Sequence, residues 1–141
     1  MKPRVYQWMR RDLVTVAPRD PIYAAVEQMA EYRMRHVLVV DPDGRLAGIL
    51  SNRDLIRGTL LHPDGKLDLH GVRVEQIMTP VPLSTVHPHA PLSAAAHEMA
   101  RRKIGALPVV VRGRLTGVIT SHDLLLAWEA PAGARVLQEA S

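Results

Sequence analysis

The chain carries one pattern twice, and this duplication constrains its fold more than any other feature. Leu13-Val14-Thr15-Val16-Ala17-Pro18 matches Leu83-Ser84-Thr85-Val86-His87-Pro88 at an offset of 70. The offset persists through Pro21/Pro91, Ala24/Ala94, Ala25/Ala95, Met29/Met99 and Ala30/Ala100, and returns at Val39-Val40 against Val109-Val110. One residue is then lost in a turn and the offset becomes 69. Gly44-Arg45-Leu46 meets Gly113-Arg114-Leu115, Gly48 meets Gly117, and Asp54-Leu55 meets Asp123-Leu124. Ordered matches with a single gap point to a repeated structural unit.

Each repeat reads β-α-β-β-α. A short β-branched strand, 13–16 or 83–86, is stopped by a proline. A helix follows, with Asp20 expected as N-cap and Pro21 at its first position. Its apolar face is Ile22, Ala25, Val26 and Met29, at one-sided helical spacing. The twin helix, behind Ala90 and Pro91, offers Leu92, Ala95, Ala96 and Met99. Two strands, 37–40 and 46–50, then form a hairpin through Asp41-Pro42-Asp43-Gly44. Their twins, 107–111 and 115–119, turn through Arg112-Gly113. A last helix begins near Asn52 or Ser121 and carries Leu55 and Ile56, or Leu124, Leu125 and Trp128. Residues 58–71, with the turn Pro63-Asp64-Gly65, read as linker. The domain limits follow as repeat 5–60, linker 61–73, repeat 74–130 and tail 131–141, the tail expected to fray or to pack on a partner. One repeat holds about 50 ordered residues, marginal for independent stability, so the two are expected to pack together as one compact α+β module.

Composition narrows the function classes. In 141 residues 47% are apolar and none is cysteine, which suits a soluble globular chain and excludes disulfides and thiolate chemistry. No apolar run reaches the roughly 20 residues of a membrane helix, and the N-terminus lacks the apolar core of a secretory signal. A cytoplasmic location is the resulting expectation. The net charge of +4 comes largely from arginine, which suits anionic ligands. The basic residues are dispersed, however, with Arg10-Arg11 and Arg101-Arg102-Lys103 the clusters, so nucleic-acid binding is disfavoured.

Ile77-Met78-Thr79-Pro80 stands before the second repeat, with Trp8-Met9 as its degenerate partner. Gly48-Ile49-Leu50-Ser51-Asn52-Arg53-Asp54 and Gly117-Val118-Ile119-Thr120-Ser121-His122-Asp123 end the two β-α-β-β runs. Over residues 5–128 the chain resembles a tandem pair of cystathionine-β-synthase-type (CBS) domains, a Bateman module. The resemblance implies pseudo-twofold symmetry between the repeats, and homodimerisation through helices whose apolar positions, such as Ile22, Met29, Leu92 and Met99, are covered by the second copy. It also implies two inter-repeat clefts for adenosine compounds such as AMP, ADP, ATP, NAD or S-adenosylmethionine.

The signature has its own physical logic. A strand ending in Ser51 or Thr120 hands over to a helix N-terminus, where backbone N–H groups and the hydroxyl can seat a phosphate. Asp54 or Asp123, acceptor-only when ionised, suits ribose hydroxyls. Ser/Thr-x-x-Asp also resembles a capping box that satisfies the helix start unaided, and the two roles can coexist. By resemblance the first cleft is assigned Arg35, His36, Ser51, Arg53, Asp54 and Thr79 with Ser84, Thr85 and Val86. The second takes Val14, Thr15, Val16, Ala106, Thr120, His122 and Asp123. Arg35, His36 and Arg53 against Gly105, Ala106 and His122 make the Asp54 cleft the expected phosphate binder. His87, His89 and His97 lack a completing carboxylate or thiolate, and a metal role is not expected. The methionines at 9, 29, 78 and 99 occupy matched positions and read as core. No nucleophile stands beside a base with an orienting group.

The reading is a stand-alone, non-catalytic regulatory module. It needs no cofactor beyond a regulatory adenosine nucleotide, forms a homodimer, and signals through conformation or association to an effector protein. The alternative is a structural dimerisation module with empty clefts.

Overall fold

A computed structural model describes residues 2–130 of the chain; the expectation for the tail, 131–141, lies outside the described residues. The elements are a 3₁₀ turn (Val5–Gln7), β1 (Thr15–Val16), α1 (Ile22–Tyr32), β2 (His36–Val40), β3 (Leu46–Ser51), α2 (Asn52–Leu61), α3 (Val74–Ile77), β4 (Thr79–Pro80), α4 (Leu92–Arg102), β5 (Ala106–Val111), β6 (Arg114–Thr120) and α5 (Ser121–Glu129). They form two β-α-β-β-α-like repeats.

Contacts divide the chain into two compact units, residues 14–83 and residues 2–13 with 84–130. The segment leading into each repeat therefore packs with the other repeat. In the 14–83 unit the sheet order is β1-β2-β3-β4. β1 is parallel to β2, the β2–β3 hairpin is antiparallel, and β4 closes the far edge against β3 through Ile49↔Thr79 and Gly48↔Pro80. The other unit keeps the same plan around the β5–β6 hairpin. Its two flanking strands are reduced to single bridges, Val86↔Val109 and Arg10↔Val118. The strand expected over 83–86 is thus one bridge long, and that over 13–16 is two residues long.

The lead-in segments are held by matched backbone bonds. Val74 N–H donates to Asp20 O at 2.8 Å as Val5 N–H donates to Ala90 O at 2.9 Å. Glu75 N–H reaches Pro18 O at 2.9 Å as Tyr6 N–H reaches Pro88 O at 2.8 Å. These bonds also explain why Asp20 is not the cap of α1. Ile22 N–H and Tyr23 N–H are taken by the carbonyls of Val72 and Leu69 at 3.0 and 2.9 Å, which leaves a side-chain cap nothing to satisfy. The Asp20 carboxylate instead turns back to Ala17 N–H at 2.9 Å, and Pro21 takes the cap position.

Each unit has its own core. Val16, Ile22, Ala25, Met29, Val37, Val39, Leu50 and Val74 fill one, and Val5, Leu92, Ala95, Met99, Leu107, Val109 and Ile119 the other. Val26 is only half-buried and Ala96 is exposed, because each helix turns just three of its four expected positions inward. The segment expected as linker from Gly58 on (61–73 in the domain limits) starts only at His62, since α2 runs to Leu61. Leu67 and Val72, within that segment, pack against the core.

Candidate functional site

Both signatures close the same local figure. At the end of β3, Ser51 Oγ accepts from Asp54 N–H at 3.3 Å, while Ser51 N–H and Ser51 Oγ donate to Asp54 Oδ2 at 2.8 and 3.0 Å. At the end of β6, Thr120 and Asp123 repeat this at 3.2, 2.9 and 3.0 Å. These are capping boxes. Both carboxylates are 4% exposed, the only buried charged groups among the described residues. The first N–H of each helix is also engaged, Asn52 by Arg35 O at 3.0 Å and Ser121 by Gly105 O at 2.9 Å. Fewer donors remain at the helix starts than the sequence pattern implies.

The surroundings differ. His36 is the register partner of Ser51, and it senses Arg53, Asp54 and Arg35. Burial first, then the Arg53 charge, holds its imidazole below the usual pKa of 6.5; Asp54 opposes this and Arg35 adds to it. Thr79 Oγ1 donates to Asp54 Oδ1 at 3.4 Å from β4, and Arg57, one turn on in α2, donates to the same oxygen at 2.5 Å. The unit thus brings together Arg35, His36, Ser51, Arg53, Asp54 and Thr79. It also contains Val14, Thr15 and Val16, with Val16 in the core.

The second unit holds Ala106, Thr120, His122 and Asp123, as well as Ser84, Thr85 and Val86. Ala106 is buried and stands opposite Thr120. Ser84 Oγ donates to Glu98 at 3.2 Å, and Val86 forms the bridge to Val109. His122 is exposed at the start of α5.

One residue escapes the sequence pattern. The space a Cβ would need on Gly48 is filled by Thr79 O and Met78 Sδ, whereas on Gly117 it is filled by Arg10 O and Met9 Sδ. Arg10 therefore occupies against Val118 the register position that Thr79 occupies against Ile49. The offset of 69, carried back from Met78/Met9, places it there. By that register the second unit carries a cation, Arg10, on the segment beside β6. Among the described residues no cluster of three metal-ligating side chains is present, and no helix is long and apolar enough to cross a membrane.

The two-repeat plan agrees with comparison to known proteins. The CBS domain model matches residues 5–60 and 74–130. The chain belongs to the CBS-domain family. Inosine-5'-monophosphate dehydrogenase of Mycobacterium tuberculosis is 35% identical over 128 residues, 90% of this chain. The chain spans only 22% of that enzyme's length. A CBS-domain protein from Burkholderia ambifaria superposes with a TM-score of 0.78 at 33% identity, covering 86% of each chain. The CBS domain pair of protein MJ0100, in complex with 5'-methylthioadenosine and S-adenosyl-L-methionine, shares the fold with a TM-score of 0.79 at 24% identity, over 91% of this chain and 97% of that one.

Proposed function

We propose that this CBS pair is a non-catalytic regulatory module that binds an adenosine compound at its two signature aspartates. The observation that carries the reading is the pair of nearly buried carboxylates, Asp54 and Asp123, each fixed at a strand-to-helix junction. A fixed, acceptor-rich carboxylate suits a pair of ribose hydroxyls. The adenosine class is what resemblance to CBS pairs implies. At the first site the contacts are Ser51, Asp54 and Thr79 for the nucleoside and Arg35, His36 and Arg53 for phosphates. At the second they are Thr120, His122 and Asp123. Regulation then requires that the ligand bind one arrangement of the chain better than another.

Isothermal titration against adenosine, AMP, ATP and S-adenosylmethionine tests this. A ligand at a hundredfold excess over its Kd stabilises the folded state by about 2.7 kcal/mol, a melting shift of roughly 2–4 °C or more for a domain near this size. Binding lost in the Asp54→Asn/Asp123→Asn double variant supports the reading. No binding and no shift at millimolar concentration would favour the structural module with empty sites. The completeness of the two capping boxes is the observation on that side.

Self-association belongs to the same proposal, on a different surface from the one the sequence suggests. Ile22, Met29, Leu92 and Met99 are buried in their own units and need no partner to cover them. Of the ten large hydrophobic side chains exposed among the described residues, six lie on α2 (Ile56, Leu60, Leu61) and α5 (Leu125, Leu126, Trp128), and we assign the homodimer contact to these helices.

A further inference from the structure

The two signature aspartates share one capping geometry, yet their outer oxygens are not equivalent. In both, Oδ2 is committed to the cap. Asp54 Oδ1 is also taken, by the Arg57 guanidinium at 2.5 Å and by Thr79 Oγ1 at 3.4 Å. Asp123 Oδ1 has no hydrogen-bond partner among the described residues. The position matching Arg57 is Leu126, which offers no donor, and the one matching Thr79 is Arg10, which makes no ion pair with Asp123.

A ribose cis-diol donates two hydroxyls and needs acceptor lone pairs that are not already filled. Asp123 can offer Oδ1 as it stands. Asp54 can offer it fully only when Arg57 lets go, and Arg57, 61% exposed, has solvent to turn into. From this contrast, which rests on the reading of the aspartates as ribose acceptors, we infer that Arg57 is an internal competitor for the ribose at Asp54. It sets the order of filling: a nucleoside without phosphate enters the Asp123 site first. A phosphorylated ligand offsets the handicap at Asp54 through Arg35, His36 and Arg53. Arg57 is thus a specificity-determining residue, discriminating against unphosphorylated ligands at one of two otherwise similar sites.

Calorimetric titration with adenosine and with AMP, on the wild type, Asp123→Asn, Asp54→Asn and the double variant Asp123→Asn/Arg57→Gln, tests the inference. Asn keeps a side-chain oxygen for the cap, and urea denaturation of each variant verifies folding. The tighter adenosine site should vanish in Asp123→Asn and survive in Asp54→Asn. Adding Arg57→Gln to Asp123→Asn should tighten adenosine binding about two- to fivefold, the range of a partly exposed ion pair. AMP binding should gain less, since removing a cation weakens attraction to phosphate. Unchanged or weaker adenosine binding in the double variant overturns the inference alone, as does a tighter site that depends on Asp54. Absence of adenosine and AMP binding in the wild type overturns the ribose reading and this inference with it.

Discussion

Thr79 Oγ1 lies 3.4 Å from Asp54 Oδ1, although 25 residues of chain separate them. The bond is long, so most of what fixes Asp54 is its own capping box. Thr79→Val should therefore destabilise by no more than about 1 kcal/mol. Asp54→Ala removes the box as well and leaves Arg57 unpaired, and should cost about 1–2 kcal/mol or more. Equilibrium urea denaturation decides the ranking. Equal losses would place the stabilising weight on β4 instead of the cap.

Gly48 and Gly117 should resist substitution for a reason unrelated to ligand. A Cβ on Gly48 would stand 2.5 Å from Thr79 O and 2.8 Å from Met78 Sδ; on Gly117, 2.8 Å from Arg10 O and 2.9 Å from Met9 Sδ. The methionines can turn away, but the carbonyls belong to paired backbone. Gly48→Ala and Gly117→Ala should each cost about 1–3 kcal/mol, with the lead-in segment the first part to show faster amide hydrogen exchange. Wild-type protection in that segment would refute the account.

His36 gives stability a pH dependence of definite sign. Its folded pKa lies below the ordinary 6.5, chiefly through burial and the Arg53 charge. Between the two values the unfolded chain holds a proton that the folded chain lacks, so stability rises with pH there. The contribution is lost progressively as pH falls through 6.5 towards the folded value. His36→Gln should flatten this slope, measured as urea midpoints from about pH 7.5 down to 5. A bound phosphate should also reduce it, by favouring the imidazolium.

Light scattering should return about twice the 15.6 kDa chain mass, as for a twofold pair. Trp128 is 90% exposed and Leu60 78% exposed. Leu60→Asp with Trp128→Asp should therefore give single chains at an almost unchanged melting temperature. Met29→Ala and Leu92→Ala should instead lose about 2–5 kcal/mol each without a specific effect on association. Dimers that persist in the charged variant would rule out α2 and α5 as the contact.

The hairpins and the junctions at Ser51–Asp54 and Thr120–Asp123 were legible in the sequence, because their bonds are local and their pattern occurs twice. Asp20 misleads for the opposite reason. Its place as cap of α1 is pre-empted by the carbonyls of Leu69 and Val72, about fifty residues away, and no local pattern records them. Ala96 departs from the apolar face expected for it, because alanine suits either face of a helix. Arg10 hides behind a change of offset between the lead-in segments and the repeats. Arg57 is visible as an i, i+3 partner of Asp54, but its effect depends on which carboxylate oxygen the cap leaves over, and that is a matter of coordinates.

The exchange of lead-in segments also gives the chain a timetable. Residues 14–83 form one unit from a continuous stretch, complete as soon as β4 has left the ribosome. The other unit is discontinuous, since Arg10 must find Val118. At about 5–20 residues per second, Arg10 waits roughly 5–20 s for that partner to be made. Throughout that interval Val5, destined for full burial, is a nascent apolar segment without its core. Birth order thus separates two halves that the finished structure makes look alike: one needs only its own continuous stretch, and the other must wait until Val118 has been made.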